Sequence, residues 1–157
     1  MNLLIAFLMS MLPIVELRGG LIFASASGIP FWEAFIVCCV GNILPVPFIL
    51  FFLRKIFNVL EKNRHTAKLV LWLEGKAKKA EKKIGKYETL GLFLFVAIPL
   101  PGTGAWTGSL IAALFDMRIK RAFPTIAAGV VGAGVIMSVL SYLAPEIFRG
   151  LFGIMSG

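Results

Sequence analysis

Side chains capable of chemistry are scarce in this chain. Across 157 residues there is one histidine, His65, and there are two cysteines, Cys38 and Cys39, adjacent within a hydrophobic run. No further His or Cys stands at metal-ligand spacing from them, so they read as small packing residues and no metal is expected. His65 lies among cations and reads as a surface residue. No Ser/His/Asp, Cys/His or paired-carboxylate constellation stands in a credible context, so neither an enzyme nor a cofactor is expected. Charge is sparse as well. Only 15% of residues are charged against 59% hydrophobic, and mean hydropathy is +0.90. A soluble domain this small has too little interior to hide that much apolar surface, which leaves lipid as the solvent.

What charge there is sits in one place. Between Arg54 and Lys86 eleven Lys/Arg stand against Glu61, Glu74 and Glu81, which accounts for the whole net charge of +8. Leu73, Ala77, Ala80, Ile84 and Tyr87 recur there at spacings of 4, 3, 4 and 3. That pattern predicts an amphipathic helix suited to anionic headgroups or to another helix. Its simplest role is a solvated positive-inside anchor. A nucleic-acid partner is not expected, because no soluble reader module accompanies the basic segment. Ala24-Ser25-Ala26 resembles a signal-peptide cleavage site. The N-terminus, however, lacks a positive region, and Pro13, Glu16 and Arg18 interrupt the stretch, so cleavage is not expected.

Shifted by 88 residues, the chain matches itself without a gap. Leu12, Pro13, Gly20, Ala24, Ala34, Phe35 and Gly41 recur as Leu100, Pro101, Gly108, Ala112, Ala122, Phe123 and Gly129. Each half has an apolar stretch, a Pro/Gly break, a short apolar stretch and a long hydrophobic helix. Residues 2–12 are too few to cross a bilayer, which takes about 20 apolar residues. Pro13 stops them, Glu16-Leu-Arg-Gly-Gly20 fills the break, and 21–29 resume. Two short legs around a polar break predict a re-entrant hairpin. Residues 31–53 are the first span, kinked at Pro45 and Pro47. In the second half the stretch 89–100, the break Pro99–Gly108, the leg 109–115 and the span 122–144 follow the same order.

A second hairpin puts Arg118, Lys120 and Arg121 on the same face as the basic segment, gathering 14 of the 16 Lys/Arg there. The positive-inside rule makes that face cytoplasmic. The hairpins then enter from opposite sides, as inverted repeats. Paired broken segments of this kind are the best sequence pointer to a transporter site. The expected fold is an all-α integral membrane protein with a single domain. Repeat one covers 1–53, a cytoplasmic amphipathic linker 54–88, repeat two 89–144 and a C-terminal tail 145–157.

Glu16 and Arg18 are the only charged residues among the first 32. An ionisable group at membrane depth costs about 2.5–3.5 kcal/mol, so two of them need a reason. One reading is an ion pair, mutual or across the repeats, that holds the hairpin. The other gives Arg18 a phosphate or carboxylate to grip with its planar fork and makes Glu16 a proton carrier. In the second break Gly102, Thr103, Gly104, Thr107 and Gly108 offer backbone N–H groups and hydroxyls just before a short helix, an arrangement that attracts anions. Tight turning and close packing explain the same residues. The spacing fits neither a dinucleotide nor a Walker loop. Trp106 either faces a ligand or packs. Glu33 reaches the interface, and Asn42 is expected to bond a neighbouring helix or carbonyl. Gly129, Gly132 and Gly134 with Ala128 and Ala133 make a smooth face for close helix contact.

Three runs carry a resemblance: Pro13-Ile-Val-Glu16-Leu-Arg18-Gly-Gly20, Pro99-Leu-Pro-Gly-Thr-Gly104 and Arg118-Ile-Lys-Arg121-Ala-Phe-Pro124. With them the chain resembles the small multidrug export protein family over nearly its whole length. That family is distantly similar to the DedA superfamily, whose members have paired re-entrant hairpins and are implicated in moving lipids such as polyprenyl phosphates. The resemblance implies that Glu16 and Arg18 lie at the translocation site, and that Arg118, Arg121 and Pro124 follow the second hairpin as a basic motif does in DedA proteins. The second hairpin tip departs from that pattern by carrying no charge. The expected function is transport of an amphiphile with an anionic head, a lipid phosphate. Arg18, Gly102, Thr103, Gly104, Trp106 and Thr107 would bind it, and Glu16 would couple protons. Proton-coupled export of amphipathic drugs and a non-transporting membrane scaffold are the alternatives. Membrane lipids are expected partners, and so little protein needs a homodimer or larger to seal a pathway.

Overall fold

The computed structural model describes residues 1–62, 87–100 and 102–143, together with positions 68, 71, 72 and 75. The amphipathic run (Tyr87 apart), His65, Pro101 and the tail from 145 onward lie outside the described residues. Regular structure among the described residues is helical throughout. In chain order the helices are α1 Asn2–Met11, α2 Glu16–Ala26, α3 Phe31–Ile43, α4 Val46–Lys62, α5 Glu88–Ala97, α6 Ala105–Leu114 and α7 Ile119–Ser138. A π-helical turn, Val139–Leu143, extends α7.

Proline sets the breaks. Leu12 and Ile98, each just before a proline, take extended ψ values of 140° and 117° and so end α1 and α5, because the proline ring disfavours helical backbone in the residue before it. Both second legs start earlier than the sequence suggested. α2 begins at Glu16 rather than 21, and α6 at Ala105 rather than 109. The reason is packing, for Gly20 is where α1 and α3 close on α2. A Cβ there would overlap Ser10 Oγ, stand 2.9 Å from Ala6 O and meet Cys38 Sγ at 3.1 Å. Close contact from neighbouring helices thus outweighs glycine's poor helix propensity. Gly108 does the same in α6, where a Cβ would meet Val96 Cγ2 at 2.6 Å.

Among the described residues two stretches are long and apolar enough to cross a membrane: Phe31–Phe57, made of α3 and most of α4, and Ile119–Leu143. The second starts at 119 rather than the expected 122, and Pro124 lies inside it. The two stretches run antiparallel. At one end Tyr142 packs edge-on to Phe31, ring centroids 5.7 Å apart, and its hydroxyl donates to Ile29 O at 2.9 Å. In the middle Gly134 lies against Phe35 and Cys39. At the other end Arg54 donates to Met117 O and stands 3.8 Å from Asp116. Helix α1 packs on α2 and α3, α5 on α6 and α7, while α2 and α3 meet α7 and α4 meets α6. Small residues dominate the interior, with Ala6, Ala24, Cys38, Ala105, Ala112 and Ala122 buried. The outward faces carry Ile36, Val40, Phe48, Phe51, Phe52, Val131 and Val135, as a lipid surround favours.

Both second legs close alike. Ile29 N donates to Ala24 O at 3.0 Å, and Met117 N to Ala112 O at 2.9 Å, the same bond 88 residues on. Each closure passes through a left-handed residue, Gly28 at φ 71° and Asp116 at φ 50°, which lets the last carbonyls of the helix find donors.

Candidate functional site

The two proline-stopped breaks meet inside the molecule, and Glu16 and Arg18 are what join them. Glu16 opens α2 with φ 49°, in the left-handed region that a side chain rarely adopts, and is 7% exposed. That turn sends its carboxylate to the start of α6, where Oε1 accepts from Trp106 N at 3.2 Å. A carboxyl group of the protein itself therefore occupies the helix N-terminus that the glycine-rich break was expected to offer to an anion. Gly104 makes the room. Its φ is 156°, and a Cβ there would overlap the Glu16 carboxyl group.

Arg18, one half-turn along α2, binds the break that precedes α6. Its guanidinium donates to the carbonyls of Leu100 and Thr103, and Nη2 also donates to Thr103 Oγ1 at 2.7 Å. The Thr103 hydroxyl in turn donates to Ile98 O at 2.7 Å or Leu100 O at 2.9 Å. The cation thus meets carbonyls within the break between α5 and α6, and the carboxyl group meets an N–H freed where α6 begins. Glu16 and Arg18 form no ion pair with each other within 4.0 Å; each crosses to the other half of the chain.

Trp106 has three surroundings at once. Its backbone N–H holds Glu16, its indole Nε1 donates to Met11 O at 3.1 Å, and its side chain lines a large apolar cavity. That cavity measures about 980 Å³ and lies between the first tip (Met11, Pro13), α4 (Phe48, Phe52) and α6 (Thr107, Leu110). Of the residues singled out in the sequence, Arg18, Thr103, Gly104, Trp106 and Glu16 come together, and Thr107 lies beside Trp106 on the wall of the large cavity. Gly102 stands apart: at φ 82° a Cβ would meet nothing within 4 Å, so its role is the turn. Sequence reasoning missed the carbonyls of Met11, Ile98 and Leu100, since backbone acceptors leave no signature in residue type.

Asn42 departs from its expected role. It is 2% exposed on α3, yet among the described residues no donor reaches its Oδ1. It lines a second, far smaller cavity of about 10 Å³ with Glu16, Leu17, Arg18, Val96, Gly104, Val130 and Ala133. Cys38 and Cys39 are buried packing residues, with Cys38 Sγ directed at Ala6 O. Among the described residues no group of three or more His, Cys, Asp or Glu is placed to hold a metal ion.

No curated protein and no solved structure matches the chain. One family model does, over residues 16–136, a stretch that opens on Glu16 and includes both breaks' crossing partners. The chain belongs to the family described as "Putative small multi-drug export protein".

Proposed function

We propose that the protein is an integral membrane transporter, not an enzyme, that carries an amphiphile with an anionic head group across the cytoplasmic membrane, a lipid phosphate of polyprenyl-phosphate type being the model substrate. The observation that carries this reading is Trp106. Its backbone N–H holds a carboxylate at the α6 N-terminus while its ring lines the 980 Å³ apolar cavity, so a place for an anionic head adjoins a place for a hydrocarbon tail. Glu16 fills the head position in the resting protein. Protonation would weaken its hold on Trp106 N–H and free that donor for the substrate, and this exchange links proton and cargo. The family to which the chain belongs favours transport.

The reading takes α1–α2 and α5–α6 as re-entrant hairpins in inverted repeats. Support comes from the ends of the two spans. Arg54 touches Asp116 and Met117, so the segment between the spans leaves and returns at one end. Tyr142 touches Ile29 and Phe31 at the other. The tips meet in between, where a site reachable from either side belongs. The basic segment then faces the cytoplasm, and two copies related by C2 symmetry complete the seal.

Flux in proteoliposomes tests this. A fluorescent lipid phosphate should cross faster than its uncharged alcohol, and Arg18→Gln should abolish the difference. Equal rates for phosphate and alcohol would remove the anionic head from the proposal. Drug export is the second reading, favoured because Arg18 is bound to carbonyls of the second break while Glu16 lies at Trp106, which lines the apolar cavity. Faster flux of a cationic amphiphile than of either lipid would select it.

A further inference from the structure

We propose that Asn42 is the acceptor for the proton carried by Glu16, so that the carboxyl group has two stations: ionised at Trp106 N–H, and protonated with its O–H directed across the small cavity to Asn42 Oδ1. This rests on the reading of Glu16 as a proton carrier. It adds a residue on a different helix that decides how readily the proton is held.

Three observations support it. Asn42 is almost fully buried, and no donor among the described residues reaches its carbonyl oxygen. A buried acceptor left unsatisfied is uncommon and calls for an explanation. The same cavity is walled by Glu16 and Asn42 together and is about the size of one water molecule. Arg18 also lines it but already donates to Leu100 O, Thr103 O and Thr103 Oγ1, so an O–H group at Glu16 is the uncommitted side-chain donor on that wall, directly or through that one molecule. Finally, the rest of the wall holds no competing acceptor side chain: Leu17, Val96, Val130 and Ala133 are apolar, Gly104 has no side chain, and Arg18 can only donate. The neutral acid has a donor that Asn42 accepts; the carboxylate has none and repels the amide oxygen. The step balances simply. A hydronium ion gives its proton to the Glu16 carboxylate and leaves as water, the O–H bond forms, the carboxylate's negative charge is lost, and the Trp106 N–H is released.

The neighbouring titratable and charged groups leave Glu16 as the proton's seat. Arg18, on the same helix, is the one cation on the cavity wall among the described residues. From α3 the buried thiol of Cys38 faces α2 at Gly20 and that of Cys39 faces α7 at Gly134, and from the turn after α7 Tyr142 donates to Ile29 O. Helices α1 and α7 direct no charged side chain to the cavity.

The test is an infrared pH titration of the full chain in nanodiscs, with the protonated-carboxyl band of Glu16 assigned by its loss in Glu16→Gln. Asn42→Leu keeps the volume and removes the acceptor, so Glu16 should release its proton at least tenfold more readily, a midpoint lower by about one pH unit or more. Asn42→Ser, which retains an acceptor in a smaller side chain, should lie between Leu and wild type and serves if the Leu variant fails to fold. A midpoint unchanged in both variants, or in Ser alone if Leu does not fold, overturns the role of Asn42 and leaves Glu16 as a carrier. Absence of any Glu16 titration in the wild-type protein overturns the carrier reading and this inference together.

Discussion

Single residues at the tips act through the space and the donors they leave. Gly104 is the sharpest case, because a methyl group there meets the Glu16 carboxyl group and also has to adopt φ 156°. Gly104→Ala should therefore lower thermal stability severely, and adding Glu16→Ala should recover part of the loss by emptying the contested space. If the double variant is no more stable than Gly104→Ala alone, backbone strain rather than the carboxyl group makes glycine necessary. Thr103 acts through its hydroxyl, which accepts from Arg18 at 2.7 Å. Thr103→Val keeps the shape, loses a hydrogen bond to a charged group, and should cost about 1.5–3 kcal/mol in detergent unfolding. Arg18→Lys keeps the charge but not the fork that reaches Leu100 and Thr103 together. It should lose most of its transport while the protein still folds, as flux and thermal unfolding measured side by side would establish. The need for Glu16 and Arg18 to have partners was legible from their charge in an apolar stretch. Their partners were not, because a carbonyl or an N–H belongs to every residue, and only the fold decides which of them lack a helical bond.

Among the helices the informative contrast lies in how the second legs end. Gly28 and Asp116 occupy equivalent left-handed turns, at φ 71° and 50°. The aspartate adopts that conformation at a steric disadvantage that glycine lacks. Its partner Arg54 is 3.8 Å away, and Asp116 is 91% exposed in that pair, so the pairing adds little. Asp116→Gly should therefore raise stability by about 0.5–1 kcal/mol, and a fall in the unfolding temperature would show that the pair matters more than the turn. The breaks were legible, since a proline stops a helix from its own covalent structure. The starts of α2 and α6 were misjudged by several residues because Gly20 and Gly108 read as breakers. Their helical conformation is imposed by Ser10, Ala6 and Val96, which are distant in sequence and invisible to local propensity.

For the whole molecule, the contact of Arg54 with Asp116 and Met117 fixes which ends lie together. Cysteines introduced at Lys55 and Lys120 should react with an impermeant maleimide from the same side of the membrane, and one at Gly28 from the other. Labelling of 55 and 120 from opposite sides would discard the second hairpin. The 88-residue offset also sorts the residues that cross between the tips. Glu16 is the counterpart of Gly104, the residue it lies against, and Arg18 is the counterpart of Trp106. Two identical halves would set carboxylate against carboxylate at that contact, with no space for either. The tips close only because the copies differ there, one bringing the charge and the other a vacancy for it. A transporter assembled from two equal halves would have to place its charges elsewhere, whereas here the asymmetry between the halves is itself the lock.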